Sequence, residues 1–269
     1  MRGRRIAAAR VVHPIAVRPG RPAQFARAVA GRRIHSVQRR GKYLLIKLDS
    51  GWLVAHFRLD GQLLWMDVAR RDKGGTAEPH ACVRLTLSDG SRDGGRRRAG
   101  AELGFVDPRH FGRMRYADQL ADEAGVASLG IEPLSPAFTP AALAALLHGS
   151  RRPLKLLLLD QKRIAGLGNI YSCESLWRAR LSPRRPSNRV TAREARALHK
   201  AIVGVLRAAL RCCLSPPPDF RDPEWWFQGL EEILRVYGRE GRKCRRCGHA
   251  IRRIAQGGRS TFFCAHCQR

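Results

Sequence analysis

Short apolar runs separated by turn signals dominate residues 32–117. The segments KYLLIKL, GWLVAHF and QLLWM are divided by DSG and RLDG, and CVRLTL, ELGFV and RMRYA follow further along the chain. Runs of this length that end at glycine and aspartate are typical of β-strands. Several short strands in succession predict a β-sandwich, and we place this N-terminal domain at residues 1–118.

The pattern changes to helical periods at about residue 136. Four segments carry it: TPAALAALLHG, RPLKLLLLDQ, IYSCESLWRAR and TAREARALHKAIVGVLRAALRCCL. Thr191 and Glu194 form a capping box at the start of the longest segment, and Gly149 and Pro153 punctuate the first two. The proline-rich stretch SPPPDFRDPEWW predicts a loop. We therefore predict an α+β multidomain chain with a helical domain at residues 136–226.

Four cysteines near the C-terminus have the spacing of a metal site. Cys244 and Cys247 form one Cys-x-x-Cys pair, and Cys264 and Cys267 form a second. Four thiolates with no open position favour one structural Zn²⁺ ion. The residues between the pairs predict a β-hairpin with a Gly-Gly turn, so residues 234–269 are expected to form a zinc ribbon. Two disulfide bonds are the alternative.

The charge of the chain points to a polyanionic partner. Its 269 residues include 51 Lys and Arg against 22 Asp and Glu, for a formal net charge of +29. Nucleic acid is the first candidate partner, and an anionic membrane surface is the second. Apolar runs are too short for a membrane span, and we see no signal peptide. We expect a cytoplasmic protein without a membrane partner.

Several motifs together resemble one family of DNA-repair enzymes. GLGNIYSCESLWRARLSP places a glycine turn before a helix, where backbone N–H groups can bind a phosphate. With DPRHFG, QRRGKYLL, LGIEPLS and the four-cysteine hairpin, it resembles the formamidopyrimidine-DNA glycosylase and endonuclease VIII family. The resemblance implies a base-excision-repair DNA glycosylase with abasic-site lyase activity on oxidised bases in duplex DNA. It also implies a helix–two-turn–helix domain, a monomer, and a bacterial protein associated with the nucleoid.

The resemblance assigns roles to residues that bind a DNA phosphate, here called the phosphate grip, and to residues that take part in the reaction. Asn169 matches the grip itself, and Arg151 and Lys155 match its basic contacts to the DNA backbone. Lys42 matches a buried lysine that donates a proton during β-elimination. Arg259, at the hairpin tip, matches an arginine that binds the phosphate at the lesion and assists the second elimination. The alternative for Arg259 is a solvated turn residue.

Further matches concern the hole that an everted base leaves in the duplex. Arg109 and Phe111 match residues that fill this hole, where an aromatic ring can wedge the base stack. Leu59 matches a third wedge residue, although Arg58 and Asp60 replace the small residues usual beside it. His80 and His110 complete the set, and they match DNA-contacting positions. The alternatives are core packing for Phe111 and a structural role for His80.

The sequence departs from the family pattern at its N-terminus. The family pattern begins with a proline amine that attacks the sugar and a glutamate that protonates it, followed by a helix. This chain begins MRGRRIAAARVV, which aligns with the strand after that helix. We therefore expect little glycosylase activity from the chain as written. A start codon placed too late is the explanation that we favour over a degenerate paralogue or a non-catalytic DNA binder. Residues 215–226 do not resemble the family's lesion-capping loop, so lesion preference stays open.

Overall fold

The chain folds into two compact units. The computed structural model describes residues 1–66, 80–88, 92–93, 96–97, 101–213, 230 and 232–269. The first unit is Met1–Ala127, and the second is Ser128–Arg269. Within the described ranges, no helix combines the length and the apolar character that crossing a bilayer requires. The finer domain boundaries from the sequence, including the predicted loop at residues 215–226, lie partly outside the described residues and stay predictions.

The first unit is a β-sandwich, as predicted. Its strands are β1 Arg5–Val11, β2 Ile34–Arg40, β3 Tyr43–Leu48, β4 Trp52–His56, β5 Gln62–Met66, β6 Ala81–Ser88, β7 Arg92–Asp93, β8 Arg96–Arg97, β9 Glu102–Val106 and β10 Arg113–Ala117. They form two four-stranded sheets with the strand orders β1-β6-β9-β5 and β10-β4-β3-β2, and all neighbours are antiparallel. A small pair, β7 and β8, stands apart from both sheets.

Apolar side chains from both sheets form the core of the sandwich. Strand β6 alternates buried and half-buried positions along most of its length, as expected where one face meets the opposite sheet. A helix that the sequence analysis did not predict, α1 Pro22–Val29, adds Phe25 and Val29 to this core. These two residues are four apart and therefore lie on the same helical face. A short helix, α2 Ala124–Ala127, ends the unit.

The second unit contains the four predicted helices. They are α3 Pro140–His148, α4 Leu154–Leu158, α5 Asn169–Ala179 and α6 Ala192–Cys213. The Thr139 hydroxyl caps α3 by accepting from the Ala142 N–H at 3.1 Å. The capping box before α6 is confirmed, because the Glu194 N–H donates to the Thr191 hydroxyl at 3.3 Å and the Thr191 N–H donates to the Glu194 carboxylate at 2.8 Å.

The predicted hairpin closes the second unit. Strands β11 Arg252–Gln256 and β12 Arg259–Phe263 pair in antiparallel register, with Gln256 opposite Arg259. The two turn residues, Gly257 and Gly258, have φ of +55° and +71°. Two positive φ values in a two-residue loop define a type I′ turn, which only glycine and a few polar residues adopt readily. The turn therefore leaves Arg259 as the first strand residue past the tip.

A buried carboxylate fixes the chain that leads into the hairpin. Glu174 on α5 is 1% exposed and accepts hydrogen bonds from the backbone N–H groups of Arg235, Val236 and Tyr237, each at 2.9 Å. Three donors offset much of the cost of burying a carboxylate. These hydrogen bonds attach the segment that precedes the hairpin to the helix that begins at Asn169.

Candidate nucleic-acid interface

The four cysteines converge at the base of the hairpin. Their sulfur atoms all lie within 4.8 Å of one another, with Cys247 Sγ 3.5 Å from Cys264 Sγ and Cys244 Sγ 4.0 Å from Cys267 Sγ. A tetrahedral ion with Zn–S bonds of about 2.3 Å has S–S edges of about 3.8 Å. None of the four is in a disulfide bond. The donor set and its dimensions fit one structural Zn²⁺ ion, which confirms the zinc prediction.

Neighbouring donors prepare one of these thiols to bind metal. The Trp177 indole N–H donates to Cys244 Sγ at 3.4 Å, and the Arg246 guanidinium lies 4.1 Å from the centre of the Trp177 ring. Burial by itself raises the pKa of Cys244. The backbone N–H groups of Arg246 and Cys247 and the Trp177 indole outweigh burial and lower this pKa to about 6. Because a metal binds the thiolate, a lowered pKa favours binding at neutral pH.

The glycine turn before α5 is held by a glutamine that the sequence analysis missed. The Gln161 side chain accepts from the Gly166 N–H at 2.9 Å and donates to the carbonyl groups of Leu159 and Leu167, each at 2.9 Å. Gly166 has φ of +84°, a left-handed conformation that favours glycine. Helix α5 then starts at Asn169, so its N-terminal N–H groups follow directly after the turn.

The structure brings Asn169 to the strand that carries Arg259. Asn169 Nδ2 donates to the Ser260 carbonyl oxygen at 3.0 Å, although the two residues are 91 positions apart. Its other amide atom, Oδ1, is buried and has no hydrogen-bond partner. Arg259 and Arg151 are exposed. An amide, a helix N-terminus and an exposed guanidinium on one unit are the parts that a phosphate site needs.

Lys155 does not face solvent in this structure, whereas the sequence analysis predicts that it contacts the DNA backbone. It is 0% exposed, and its ammonium donates to Thr261 Oγ1 at 2.6 Å and to the Ser260 carbonyl at 3.1 Å. Burial lowers the pKa of Lys155, and the positive charge of Arg259 lowers it further. Lys155 and Asn169 therefore hold the same carbonyl, one residue beyond Arg259. The role of Lys155 in this structure is to anchor the hairpin strand.

In the first unit, the predicted wedge residues gather on two adjacent loops. Leu59 and Phe111 are 65% and 51% exposed, so Phe111 is not a core residue. The Arg109 guanidinium lies 5.7 Å from the centre of the Phe111 ring and forms an ion pair with Asp60. The 1%-exposed Asp107 holds the loop by accepting from the Arg109 N–H at 3.2 Å and from the Gly112 N–H.

The two predicted histidines differ in their placement. His80 is exposed, and its carbonyl accepts from the Asp107 N–H at 3.0 Å. His110 turns inward instead. Its Nδ1 lies 3.3 Å from Cys82 Sγ, and its ring centre lies 4.5 Å from that of His13. His110 also has φ of +56°, so the loop bends at this residue. These contacts of the His110 ring support the loop formed by residues 107–112.

Lys42 is exposed at the turn between β2 and β3, which corrects the expectation of a buried lysine. Near it lies His56, which the sequence analysis did not select. Burial, together with the charges of Arg58 and Lys42, lowers the pKa of His56 to about 4. The ring is therefore neutral, and its Nδ1 accepts from the Arg58 N–H at 3.0 Å. This bond supports the start of the loop that carries Leu59, where Arg58 has φ of +58°.

Comparison with known families accounts for all three parts of the chain. Residues 1–114 match the formamidopyrimidine-DNA glycosylase N-terminal domain, residues 129–215 match the formamidopyrimidine-DNA glycosylase H2TH domain, and residues 241–269 match a zinc finger found in FPG and IleRS. These are the parts that the structure shows as a sandwich, a helical region with a glycine turn, and a four-cysteine hairpin. The chain belongs to the formamidopyrimidine-DNA glycosylase family.

Individual relatives agree over most of their length. The formamidopyrimidine-DNA glycosylase of Chloroflexus aggregans is 43% identical over 248 residues, which are 92% of this chain and 85% of the relative. That of Gluconobacter oxydans is 40% identical over 253 residues, or 92% of this chain and 87% of the relative.

Solved structures show the same architecture. The Lactococcus lactis Fpg in complex with an abasic-site-containing DNA superposes with a TM-score of 0.83 at 28% identity, covering 100% of this chain and 94% of that one. The MutM (Fpg) protein of Thermus thermophilus gives a TM-score of 0.78 at 38% identity, covering 100% of this chain and 92% of that one.

Proposed function

We propose that this protein is a DNA glycosylase of base-excision repair with abasic-site lyase activity on oxidised bases in duplex DNA. The observation that carries the proposal is the shared anchor of the phosphate grip. Asn169 and Lys155 both bind the Ser260 carbonyl, which places the neighbouring Arg259 on a fixed strand beside the N-terminus of α5. An arginine on an anchored strand can bind one phosphate of a DNA strand without the cost of first ordering its own backbone.

Binding would begin with the DNA backbone and continue with base eversion. Arg259, Arg151 and the N-terminus of α5 supply the contacts to phosphate, which hold the strand without reading its sequence. In the first unit, Leu59 and Phe111 offer the exposed apolar surface that can replace an everted base in the stack. Arg109 offers hydrogen-bond donors to the partner base that is left unpaired.

The reaction would then proceed through an amine. Its nitrogen lone pair forms a bond to C1′ of the deoxyribose, the bond from C1′ to the base breaks, and the base leaves with that electron pair and a proton. The nitrogen then forms the imine as the C1′–O4′ bond breaks and O4′ takes up a proton, which opens the sugar ring. The imine acidifies the C2′–H, and when that proton is lost the C3′–O bond breaks and the phosphate leaves with its electron pair. We propose Lys42 as a proton carrier in this elimination and Arg259 as the group that stabilises the departing phosphate.

Borohydride trapping is the direct test of this proposal. Reduction fixes an imine as a stable protein–DNA adduct, so the protein is incubated with duplexes that carry an oxidised purine, an oxidised pyrimidine or an abasic site. An adduct with any of the three duplexes would support the proposal. Tight binding to the abasic duplex with no adduct would instead identify a damaged-DNA-binding protein without catalysis.

The relatives also support a proposal about the cellular setting. Both relatives named above are bacterial, and we propose that this protein acts in the bacterial cytoplasm on nucleoid DNA.

The borohydride trapping experiment also tests lesion preference, because it compares purine and pyrimidine lesions on one enzyme. We also propose that the protein acts as a monomer, which sedimentation of the unbound protein would check.

A further inference from the structure

An acidic residue occupies the hydrogen-bonding edge of Arg109. Arg109 Nη2 donates to Asp60 Oδ1 at 2.8 Å, and Arg109 Nε donates to Asp60 Oδ2. The two side chains are 52% and 32% exposed, so this bidentate pair lies at the surface between two loops. Leu59, which precedes Asp60 in the chain, and Phe111, whose ring centre lies 5.7 Å from the Arg109 guanidinium, are both exposed. Asp60 therefore binds the side chain whose donors the proposed function assigns to an orphaned base.

A guanidinium that donates two parallel hydrogen bonds selects partners with two adjacent acceptor atoms. A carboxylate presents two adjacent acceptor oxygens, and any base that replaces it equally well must also present two adjacent acceptors. On its pairing edge, cytosine offers O2 and N3 side by side. Adenine, guanine and thymine do not present two adjacent acceptors on that edge, so each can satisfy only part of the fork. Arg109 released from Asp60 would therefore be fully satisfied only by cytosine.

Two opposite consequences follow for a complex with an orphaned base. Cytosine must draw Arg109 away from Asp60, so the ion pair weakens binding to a site opposite cytosine. Any other base leaves Arg109 the option of remaining on Asp60, which avoids an unpaired guanidinium inside the duplex. The ion pair thus lowers the affinity for the best partner and limits the penalty for the poor ones.

We propose that Asp60 is a specificity-determining residue that acts through Arg109 and widens the range of partner bases accepted opposite a lesion. The inference rests on the proposed function, because it requires a base everted from duplex DNA. It concerns a residue that differs from the small residues usual at this position in the family pattern. An exposed ion pair changes an equilibrium constant by at most about five-fold, which sets the size of the effect.

The test measures dissociation constants for duplexes that carry a tetrahydrofuran abasic analogue opposite C, T, A or G, at one fixed salt concentration. In Asp60→Ser, the preference for cytosine over the other three bases should increase by about two- to five-fold, the range that an exposed ion pair allows. Asp60→Glu keeps the paired acceptors and should keep the wild-type preference. In an Arg109→Lys background, which lacks the fork, Asp60→Ser should change no preference.

A change in the dissociation constant of Asp60→Ser that is equal for all four partner bases would overturn the inference, because the removal of one negative charge near DNA would explain such a change. Asp118→Asn, another exposed carboxylate of the same unit, provides the matched charge control. An unchanged preference in Asp60→Ser would overturn it too. If the wild-type protein shows no preference for abasic over undamaged duplex, the proposed function fails, and this inference fails with it. Thermal unfolding of each variant confirms that the comparisons are made between folded proteins.

Discussion

Replacing Lys155 by methionine separates its two possible roles, an anchor of the hairpin and a contact to DNA. Methionine fills most of the volume of the lysine side chain but donates no hydrogen bond. Of the two acceptors that lose a donor, the Ser260 carbonyl keeps its bond from Asn169 at 3.0 Å. The other, the hydroxyl of the fully buried Thr261, loses the Lys155 donor.

The expected loss of stability follows from that geometry. One buried polar group without a partner costs about 1–3 kcal/mol, so Lys155→Met should lower the free energy of unfolding by that amount. Lys155→Ala removes about three buried methylene groups as well, at ~0.8 kcal/mol each, for a total loss of about 3–5 kcal/mol. Denaturant titration of the zinc-loaded protein measures both values. Lys162→Met, at an exposed lysine of the same unit, is the matched control and should leave stability unchanged.

DNA binding gives the second measurement. An anchor that lies outside the DNA contact neutralises no phosphate, so the slope of the logarithm of the association constant against log salt should be the same for Lys155→Met and wild type. A direct phosphate contact would instead reduce the steepness of that slope by about 0.9. Wild-type stability combined with a shallower salt slope would refute the anchoring role.

Three further predictions concern the zinc site, the phosphate grip and pH. Purified protein should contain one zinc per chain, and Cys244→Ser should lose it and unfold the hairpin; metal analysis well below one in wild type would contradict this. Asn169→Ala and Arg259→Ala should each weaken binding to an abasic-analogue duplex by about 1–3 kcal/mol, and unchanged affinity in both variants would contradict their role in phosphate binding. For the wild type, about five phosphate contacts should give a slope of roughly −4 to −5 in the logarithm of the association constant against log salt. The pKa of His56 is lowered to about 4 from its usual 6.5, so between these pH values the unfolded chain binds a proton that the folded chain does not. The free energy of unfolding should therefore fall by about 1–2 kcal/mol as pH drops through this window, an amount already reduced for the partial exposure of the ring. His56→Gln should remove this fall. Parallel profiles of unfolding free energy against pH for the two proteins would contradict the lowered pKa of His56.

Local sequence determined much of this protein. The spacing of the cysteine pairs, the Gly257–Gly258 turn and the Thr191–Glu194 capping box each predicted a feature that the structure contains, because every partner lies within a few residues or on one hairpin. The strands of the sandwich could also be predicted from the sequence, because the pattern of apolar and polar residues and the turn residues act over the length of one strand. Helix α1 was the exception. It has eight residues and no side-chain cap, so the packing of Phe25 and Val29 in the core stabilises it.

Only the tertiary structure decided which way the charged side chains of the site face. Lys155 and Arg151 stand in the same basic segment and look alike in sequence, yet one is buried and the other exposed. The difference arises from a hairpin strand 106 residues further along, which supplies the acceptors that make a buried ammonium tolerable. The pairing of Arg109 with Asp60, 49 residues away, has the same origin. Charge and motif can assign a residue to a site, but its partners come from segments that folding brings together.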